Sequence, residues 1–224
     1  TAFPQILFES CASGGGRFDP GMLYYAPQGW ISDDTDAAER VRIQYGTSMC
    51  YPISSMGSHV SVVPNHQLNR ITSLHTRANV AYFGTFGYEL DLNKLTDEEI
   101  AEVKAQIIFM KEYRELIQFG NFYRLKSPFD GNETVWMTVS EDKRKALVFW
   151  YRERNVVNAE FTRVRLQGLD PDLIYKNEYN GTENYGDELM NLGLLTTDVT
   201  AGEPTNEDLP CTDYESRIYV LTAE

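Results

Sequence analysis

The chain has 224 residues, of which 42% are hydrophobic and 24% charged, a balance typical of a globular protein with material for one large or two small domains. Its formal net charge of −13 argues against nucleic acid and anionic membrane surfaces as partners, because their phosphates would be repelled. No apolar run reaches the roughly 18 residues of a membrane span, so no transmembrane helix is expected.

The three cysteines, Cys11, Cys50 and Cys211, are far apart in the sequence. A sparse, odd count argues against a disulfide framework and favours a reducing compartment, so we expect a cytoplasmic protein. The three histidines form no close or motif-spaced pair, so we expect neither a metal site nor a cofactor. The chain begins with Thr and shows no signal-peptide pattern, and we expect it to be a piece of a longer protein.

The first half of the sequence alternates strand-like and helix-like segments. Short apolar strands are predicted at 6–9, 30–32, 59–63 and within 80–92. A short helix is predicted to begin at Gly21, after Pro20. Together with two longer helices, these segments predict four β/α units, which are too few to close an eight-stranded barrel.

The two longer helices are predicted from their caps. Asp36 is a good N-cap for a helix that runs to about Ser48 and buries Val41, Tyr45 and Met49. A Thr-Asp-Glu-Glu capping box at 96–99 opens the longest helix, with Gly120 at its C-terminal stop.

After about residue 125 the helical pattern nearly disappears. Strands are predicted at 134–139, 145–151, 161–166, 173–175 and 217–222, separated by Asp-Gly-Asn, Asp-Pro-Asp and Asn-Gly turns. Short strands with such turns indicate an antiparallel β-sandwich. We therefore predict an α/β domain over 1–125 and an all-β domain over 126–224.

A glycine-rich turn, 13–16, follows the first predicted strand. It lacks the lysine and hydroxyl residue of a phosphate-binding loop and the spacing of a dinucleotide-binding loop. It is either a tight structural loop or a backbone surface pressed against a sugar ring, where Cys11 and Ser13 offer hydrogen-bonding groups. Cys11 as a nucleophile is disfavoured, because no histidine is recognisably placed as its base.

Three aspartates, Asp33, Asp34 and Asp36, follow the second predicted strand. All three are either turn and cap residues, or one is a buried carboxylate whose raised pKa suits general acid/base catalysis. Adjacent side chains at a strand end point opposite ways, so Asp33 and Asp34 do not share one cavity. Trp30 would help to desolvate the carboxylate or stack on a ligand.

Several long motifs resemble the bacterial α-galactosidases of glycoside hydrolase family 36. They are Glu-Ser-Cys-Ala-Ser-Gly-Gly-Gly-Arg-Phe-Asp at 9–19, Ser-Asp-Asp-Thr-Asp-Ala-Ala-Glu-Arg at 32–40, Gly-Ser-His-Val-Ser at 57–61 and Thr-Phe-Gly-Tyr-Glu-Leu at 85–90. The resemblance implies the second half of a (β/α)8 TIM barrel, strands five to eight, followed by the family's C-terminal antiparallel β-sandwich. It also implies a retaining glycoside hydrolase that releases terminal α-linked galactose from melibiose and raffinose.

The resemblance assigns roles to particular residues. The first aspartate of the Ser-Asp-Asp-Thr-Asp motif, Asp33, matches the family's general acid/base. Cys11 and Gly14, with Ser13 adjacent and Trp30 nearby, match the wall that contacts galactose. No metal or other cofactor is implied. The expected partners are α-galactoside oligosaccharides, and family members often form homotetramers.

One part of the family pattern is missing. The family's nucleophile lies in a Lys-Trp-Asp-like motif on strand four, and the sequence contains no such motif. A retaining mechanism needs two carboxyl groups. We therefore expect the nucleophile upstream of Thr1 and expect this chain alone to be inactive. The alternative is a non-catalytic carbohydrate-binding or structural fragment, and another barrel chemistry on the same scaffold also stays open.

Overall fold

The computed structural model describes residues 3–11, 13–16, 18–156, 161–196 and 213–223. Cys211 lies outside the described residues. The chain divides into two compact units, Thr1–Gln118 and Phe119–Glu224.

The first unit contains four parallel strands that neighbour one another in chain order. Strand β1 (Glu9–Ser10) pairs with β2 (Gln28–Gly29), and β3 (Gly57–Ser61) pairs with β4 (Thr85–Glu89). A single parallel bridge between Gly29 and Met56 joins the two pairs. The carboxyl ends of all four strands therefore lie along one edge.

Each strand of the first unit is followed by a helix. These are α1 (Pro20–Leu23), α2 (Ala37–Ser48), α3 (Leu74–Ala81) and α4 (Asp97–Phe119), with short 3₁₀ segments at Ile53–Ser55 and Leu92–Lys94. Parallel strands that alternate with helices are the repeating unit of a (β/α) barrel. The predicted four β/α units are confirmed, although α3 was not among the predicted helices.

The predicted caps of the longer helices are also confirmed. Asp36 is the N-cap of α2. At the start of α4, the Glu99 N–H donates to Thr96 Oγ1, and the Thr96 N–H donates to Glu99 Oε2. Helix α4 ends at Phe119, immediately before Gly120.

Three local predictions in this unit are wrong. The first two strands lie at Glu9–Ser10 and Gln28–Gly29 rather than at 6–9 and 30–32, because the ladder forms where two backbones meet and not where the apolar run lies. Leu7, which belongs to the apolar strand predicted at 6–9, is 83% exposed. Met49 is 63% exposed because α2 ends at Ser48 and leaves Met49 as its C-cap.

The second unit is dominated by one antiparallel sheet of six strands. In spatial order they are β10 (Glu183–Tyr185), β9 (Ile174–Asn177), β12 (Glu215–Ala223), β7 (Lys145–Arg152), β6 (Glu133–Val139) and β5 (Asn121–Lys126). A two-stranded sheet of β8 (Arg163–Val164) and β11 (Leu194–Leu195) and a short helix, α5 (Gly186–Asn191), complete the described residues.

The core of the second unit lies between the large sheet and the elements on one of its faces. Val135, Met137 and Trp150 from the large sheet pack in one buried cluster with Val164 and Leu194 from the small sheet. The predicted antiparallel sandwich is confirmed. Strands β5, β10 and β11 and helix α5 were not predicted: β10, β11 and α5 are too short to show a periodic pattern, and the pairing of β5 with β6 is irregular between Arg124 and Lys126.

Candidate active site

The three clustered aspartates lie between β2 and α2 and have different surroundings. Asp36 is only 2% exposed, and its carboxylate accepts from the N–H groups of Ala38 and Glu39 at 3.0 and 3.1 Å. Asp34 is partly buried and accepts from the Asp36 N–H at 3.0 Å. Two of the three carboxylates are thus used to shape the turn and cap the helix.

Asp33 is the aspartate whose side chain is exposed. In the described part of the chain, its carboxylate receives no hydrogen bond. The candidate acid/base was expected to be a buried carboxylate, but Asp33 is exposed. The buried member of the cluster is Asp36. Asp33 stands at the carboxyl-terminal edge of the strands, where barrel enzymes carry their reactive groups.

The glycine turn packs directly against Asp33. Gly14 and Gly15 have φ angles of 60° and 87°, a left-handed region that favours glycine. A Cβ at Gly14 would lie 2.7 Å from the Asp33 backbone nitrogen and 3.2 Å from its carboxyl carbon. A Cβ at Gly15 would lie 2.5 Å from the Ile31 carbonyl oxygen. Only glycine lets the turn approach this closely.

The other predicted site residues follow the ends of β1 and β2. Cys11, exposed, comes directly after β1 and begins the loop that carries Ser13, which is also exposed and has a φ of 53°. Trp30, half-buried, comes directly after β2, and its backbone N–H donates to the Ser10 carbonyl at 2.8 Å. Cys11, Ser13, Gly14, Trp30 and Asp33 thus lie after neighbouring strand ends.

Two further side chains at this edge were not predicted as site residues. The ring of His59, on β3, lies 4.7 Å from the Trp30 ring between centroids. His59 Nδ1 lies 3.7 Å from a carboxylate oxygen of Glu89, the last residue of β4. Their position on the strands that form this edge is the sequence signal that could have identified both side chains.

Arg40, from α2, also was not predicted. It is 3% exposed, and its guanidinium lies 4.4 Å from the centroid of the Trp30 ring. Burial lowers its pKa to about 10, while the nearby carboxylates of Asp34, Glu89 and Asp33 act in the opposite direction. At neutral pH the guanidinium is charged.

A search of the described residues finds no cluster of three or more His, Cys, Asp or Glu side chains that could hold a metal ion. Over the same residues, the helices are too short or too polar to cross a membrane.

Parallel β/α units with a carboxylate and a close-packed glycine turn at their carboxyl-terminal edge define the class of (β/α)-barrel enzymes. Comparison with known families gives the particular one. Residues 1–120 match the Melibiase family, and residues 133–221 match the glycosyl hydrolase family 36 C-terminal domain. The chain belongs to glycoside hydrolase family 36, as its motifs indicated.

Named relatives show the same relationship. The chain is 58% identical over 192 residues to the α-galactosidase AgaA of Geobacillus stearothermophilus, covering 86% of this chain and 26% of AgaA. It is 51% identical over 194 residues to the α-galactosidase Mel36A of Lactobacillus acidophilus, covering 87% and 26%. The chain thus spans about a quarter of the length of these relatives.

Solved structures agree with the fold. The crystal structure of AgaA superposes on all of this chain with a TM-score of 0.91 and 52% identity, over 29% of AgaA's own chain. Variants of AgaA have been solved in complex with raffinose and with stachyose. The predicted fold, a barrel portion followed by an antiparallel β domain, is confirmed.

Proposed function

We propose that this chain supplies the general acid/base portion of a retaining α-galactosidase active site, with Asp33 as the acid/base. The observation that carries the proposal is the exposed Asp33 carboxylate at the strand edge, packed under the left-handed glycine turn. Relatives at 58% and 51% identity are α-galactosidases, and AgaA variants hold raffinose and stachyose.

In this mechanism Asp33 acts twice. As an acid it donates its proton to the glycosidic oxygen while the bond from that oxygen to the anomeric carbon of galactose breaks. As a base it then takes a proton from the water that attacks the galactosyl–enzyme intermediate. Cys11, Ser13, Gly14 and Trp30 form the wall against the sugar, where the glycine leaves room for the ring.

The second carboxylate of the mechanism is proposed to come from outside this sequence, which has no Lys-Trp-Asp-like motif. We therefore expect the 224-residue chain by itself to leave a chromogenic α-galactoside uncleaved, because a retaining site needs two carboxyl groups about 5–5.5 Å apart. Turnover by the isolated chain that disappears in Asp33→Asn would contradict this division of the site.

The acid/base role is testable in a chimera of AgaA in which this chain replaces the portion of AgaA that it matches; we call it the AgaA chimera. We expect the chimera to hydrolyse raffinose and Asp33→Asn to lower kcat/KM on raffinose by about 10²–10⁴-fold. In Asp33→Asn, the rate of the cleavage step should fall far less for a dinitrophenyl galactoside, because its leaving group needs no proton. Azide should restore turnover and give the α-galactosyl azide, since the nucleophile is intact.

Asp34→Asn is the matched control, because an amide oxygen can still accept from the Asp36 N–H. It should stay within about threefold of the parent chimera, a change small on the scale of a lost catalytic group. An inactive parent chimera, or a β-galactosyl azide from Asp33→Asn, would contradict the assignment. The β product would mean that the nucleophile, not the acid/base, had been removed.

We further propose that the complete enzyme is a cytoplasmic bacterial protein and a homotetramer, as its family resemblance implies. The exposed thiols of Cys11 and Cys50 are free, which suits a reducing compartment. Light scattering of the purified complete enzyme tests the tetramer, and cell fractionation tests the location.

A further inference from the structure

We infer that Arg40 is a positioning residue for Asp33: its guanidinium holds the two backbone carbonyls on either side of Asp33 and thereby fixes where the carboxylate meets the glycosidic oxygen. The inference rests on the proposed acid/base role of Asp33. Arg40 does not touch the substrate in this account; it acts through the backbone.

The hydrogen bonds of Arg40 bracket the candidate acid/base. Its Nε donates to the Asp34 carbonyl at 2.7 Å, and its Nη2 donates to the Ser32 carbonyl at 2.6 Å. Asp33 is the residue between these two acceptors. A third bond, from Nη1 to the Gly57 carbonyl at 3.2 Å, ties the same loop to the start of β3. One side chain thus locks the Asp33 loop to the neighbouring strand.

The position of Asp33 depends on its backbone in the part of the chain that the structure describes. Within the described residues its carboxylate accepts no hydrogen bond, so the position of the carboxylate depends on where the backbone is held. Gly14 packs against Asp33 from the glycine turn. Arg40 donates two hydrogen bonds to the carbonyls that flank Asp33 and a third to the Gly57 carbonyl of β3.

A guanidinium suits this role better than any other side chain. It is planar and carries five N–H donors in fixed directions, so it can serve three carbonyls at once, whereas a lysine ammonium is a single centre. Burying the charge is costly, and here three N–H groups of Arg40 donate to backbone carbonyls. The Trp30 ring over the guanidinium offsets part of that cost.

The test is Arg40→Lys in the AgaA chimera, with Arg42→Lys on the same helix as the matched control. Displacing the acid should slow cleavage of substrates that need protonation. We expect kcat/KM on raffinose to fall at least about tenfold, KM to change little, and single-turnover cleavage of the dinitrophenyl galactoside to fall less than about threefold. Arg42→Lys should leave both substrates near the parent values.

Comparing the loss of activity on the two substrates distinguishes a displaced acid from a general disruption of the active site. An equal loss on both, or no loss on either, overturns the inference. Asp33→Asn is measured alongside: if it lacks the bias against raffinose, the acid/base assignment itself fails and the inference falls with it. If Arg40→Lys does not fold, Arg40→Gln, a neutral side chain that can still donate to a carbonyl, is measured in the same way and judged by the same contrast.

Discussion

Asp33 stays exposed because the two neighbouring aspartates accept the backbone N–H groups of the loop and the helix end. Asp36 caps α2, and Asp34 accepts from the Asp36 N–H, so both are turned into the loop. On the other side, the glycine turn approaches within contact of the Asp33 backbone. The exposed carboxylate is therefore that of Asp33, whose backbone is packed against the glycine turn.

Gly14→Ala tests the glycine side of this arrangement. The new Cβ would lie 2.7 Å from the Asp33 nitrogen, and the φ of 60° is strained for alanine. We expect a loss of stability of about 1–2 kcal/mol and at least a tenfold lower kcat/KM on raffinose in the AgaA chimera. Gly46→Ala is the control, since a Cβ there meets nothing within 4 Å and α2 should gain about 0.5–1 kcal/mol. Equal activity of both variants would contradict the close-contact argument.

Tyr88 makes the stability of the first unit depend on pH in the alkaline range. Burial and the nearby Glu102 carboxylate raise the pKa of its phenol, which donates to Gln106 Oε1 at 2.8 Å. The folded state therefore keeps the phenol neutral when the unfolded chain ionises near pH 10. The stability contributed by the neutral Tyr88 phenol is fully present below about pH 10. It is lost as the pH rises through the raised pKa of the folded state.

Tyr88→Phe should flatten the decline of unfolding free energy above about pH 10, although the lost hydrogen bond costs about 1 kcal/mol at neutral pH. The measurement is urea unfolding of the chain at a series of pH values. Tyr24→Phe, which removes a phenol that is 86% exposed, is the control. An unchanged alkaline slope in Tyr88→Phe would sink the prediction.

At the scale of elements, α2 is fixed mainly through its first turn and one buried amide. Asp36 caps the helix and forms an ion pair with Arg70, which also lies 3.3 Å from Glu39. Gln44, on the buried face, donates to the Val80 carbonyl at 2.9 Å and accepts from the Ser58 hydroxyl at 2.8 Å. These bonds join α2 to the end of α3 and to β3.

Asp36→Ala should lower the unfolding free energy by about 2–4 kcal/mol, since it removes a cap and leaves the Arg70 guanidinium without its buried partner. Asp36→Asn keeps an oxygen acceptor for the helix and removes the charge, so its loss should be smaller. Urea unfolding of both variants separates the cap from the ion pair. Equal losses would show that the charge, not the cap, carries the stabilisation.

The sequence was most informative where the cause is local. Asp36, Thr96 and Gly120 marked helix ends correctly because a cap is a contact within four residues. The strands β1 and β2 were misplaced because a ladder depends on a partner distant in the sequence. Arg40 was missed for the same reason: its acceptors include Gly57, and helix periodicity says nothing about which carbonyls a buried side chain meets.

At the scale of the whole molecule, each compact unit has edge strands with a single strand partner among the described residues, which in the large sheet of the second unit are β5 and β10. The core cluster of the second unit is built entirely from its own residues, from Val135 to Leu221. In the described part of the first unit, β1 and β4 each have one strand partner, and Leu7 and Phe8 are exposed. Open edges and exposed apolar side chains promote association between chains.

We expect the segment 1–118, expressed alone, to aggregate, because Ile6, Leu7 and Phe8 are exposed beside the edge strand β1. Size-exclusion chromatography of the segment provides the check. Ile6→Lys with Leu7→Lys should reduce aggregation of 1–118 by placing charges on the exposed edge. A soluble, monomeric 1–118 segment would show that its open edges are covered in some other way.

The single bridge between Gly29 and Met56 has a consequence for local order. On one side of it lies a ladder of five residue pairs, between β3 and β4, and on the other a ladder of two, between β1 and β2. The glycine turn and Asp33 both follow the short ladder. The β1–β2 ladder has fewer residue pairs than the β3–β4 ladder, so we expect its amide protons to exchange with solvent sooner. The candidate site residues therefore follow the shorter of the two ladders, where a bound sugar can order the backbone further.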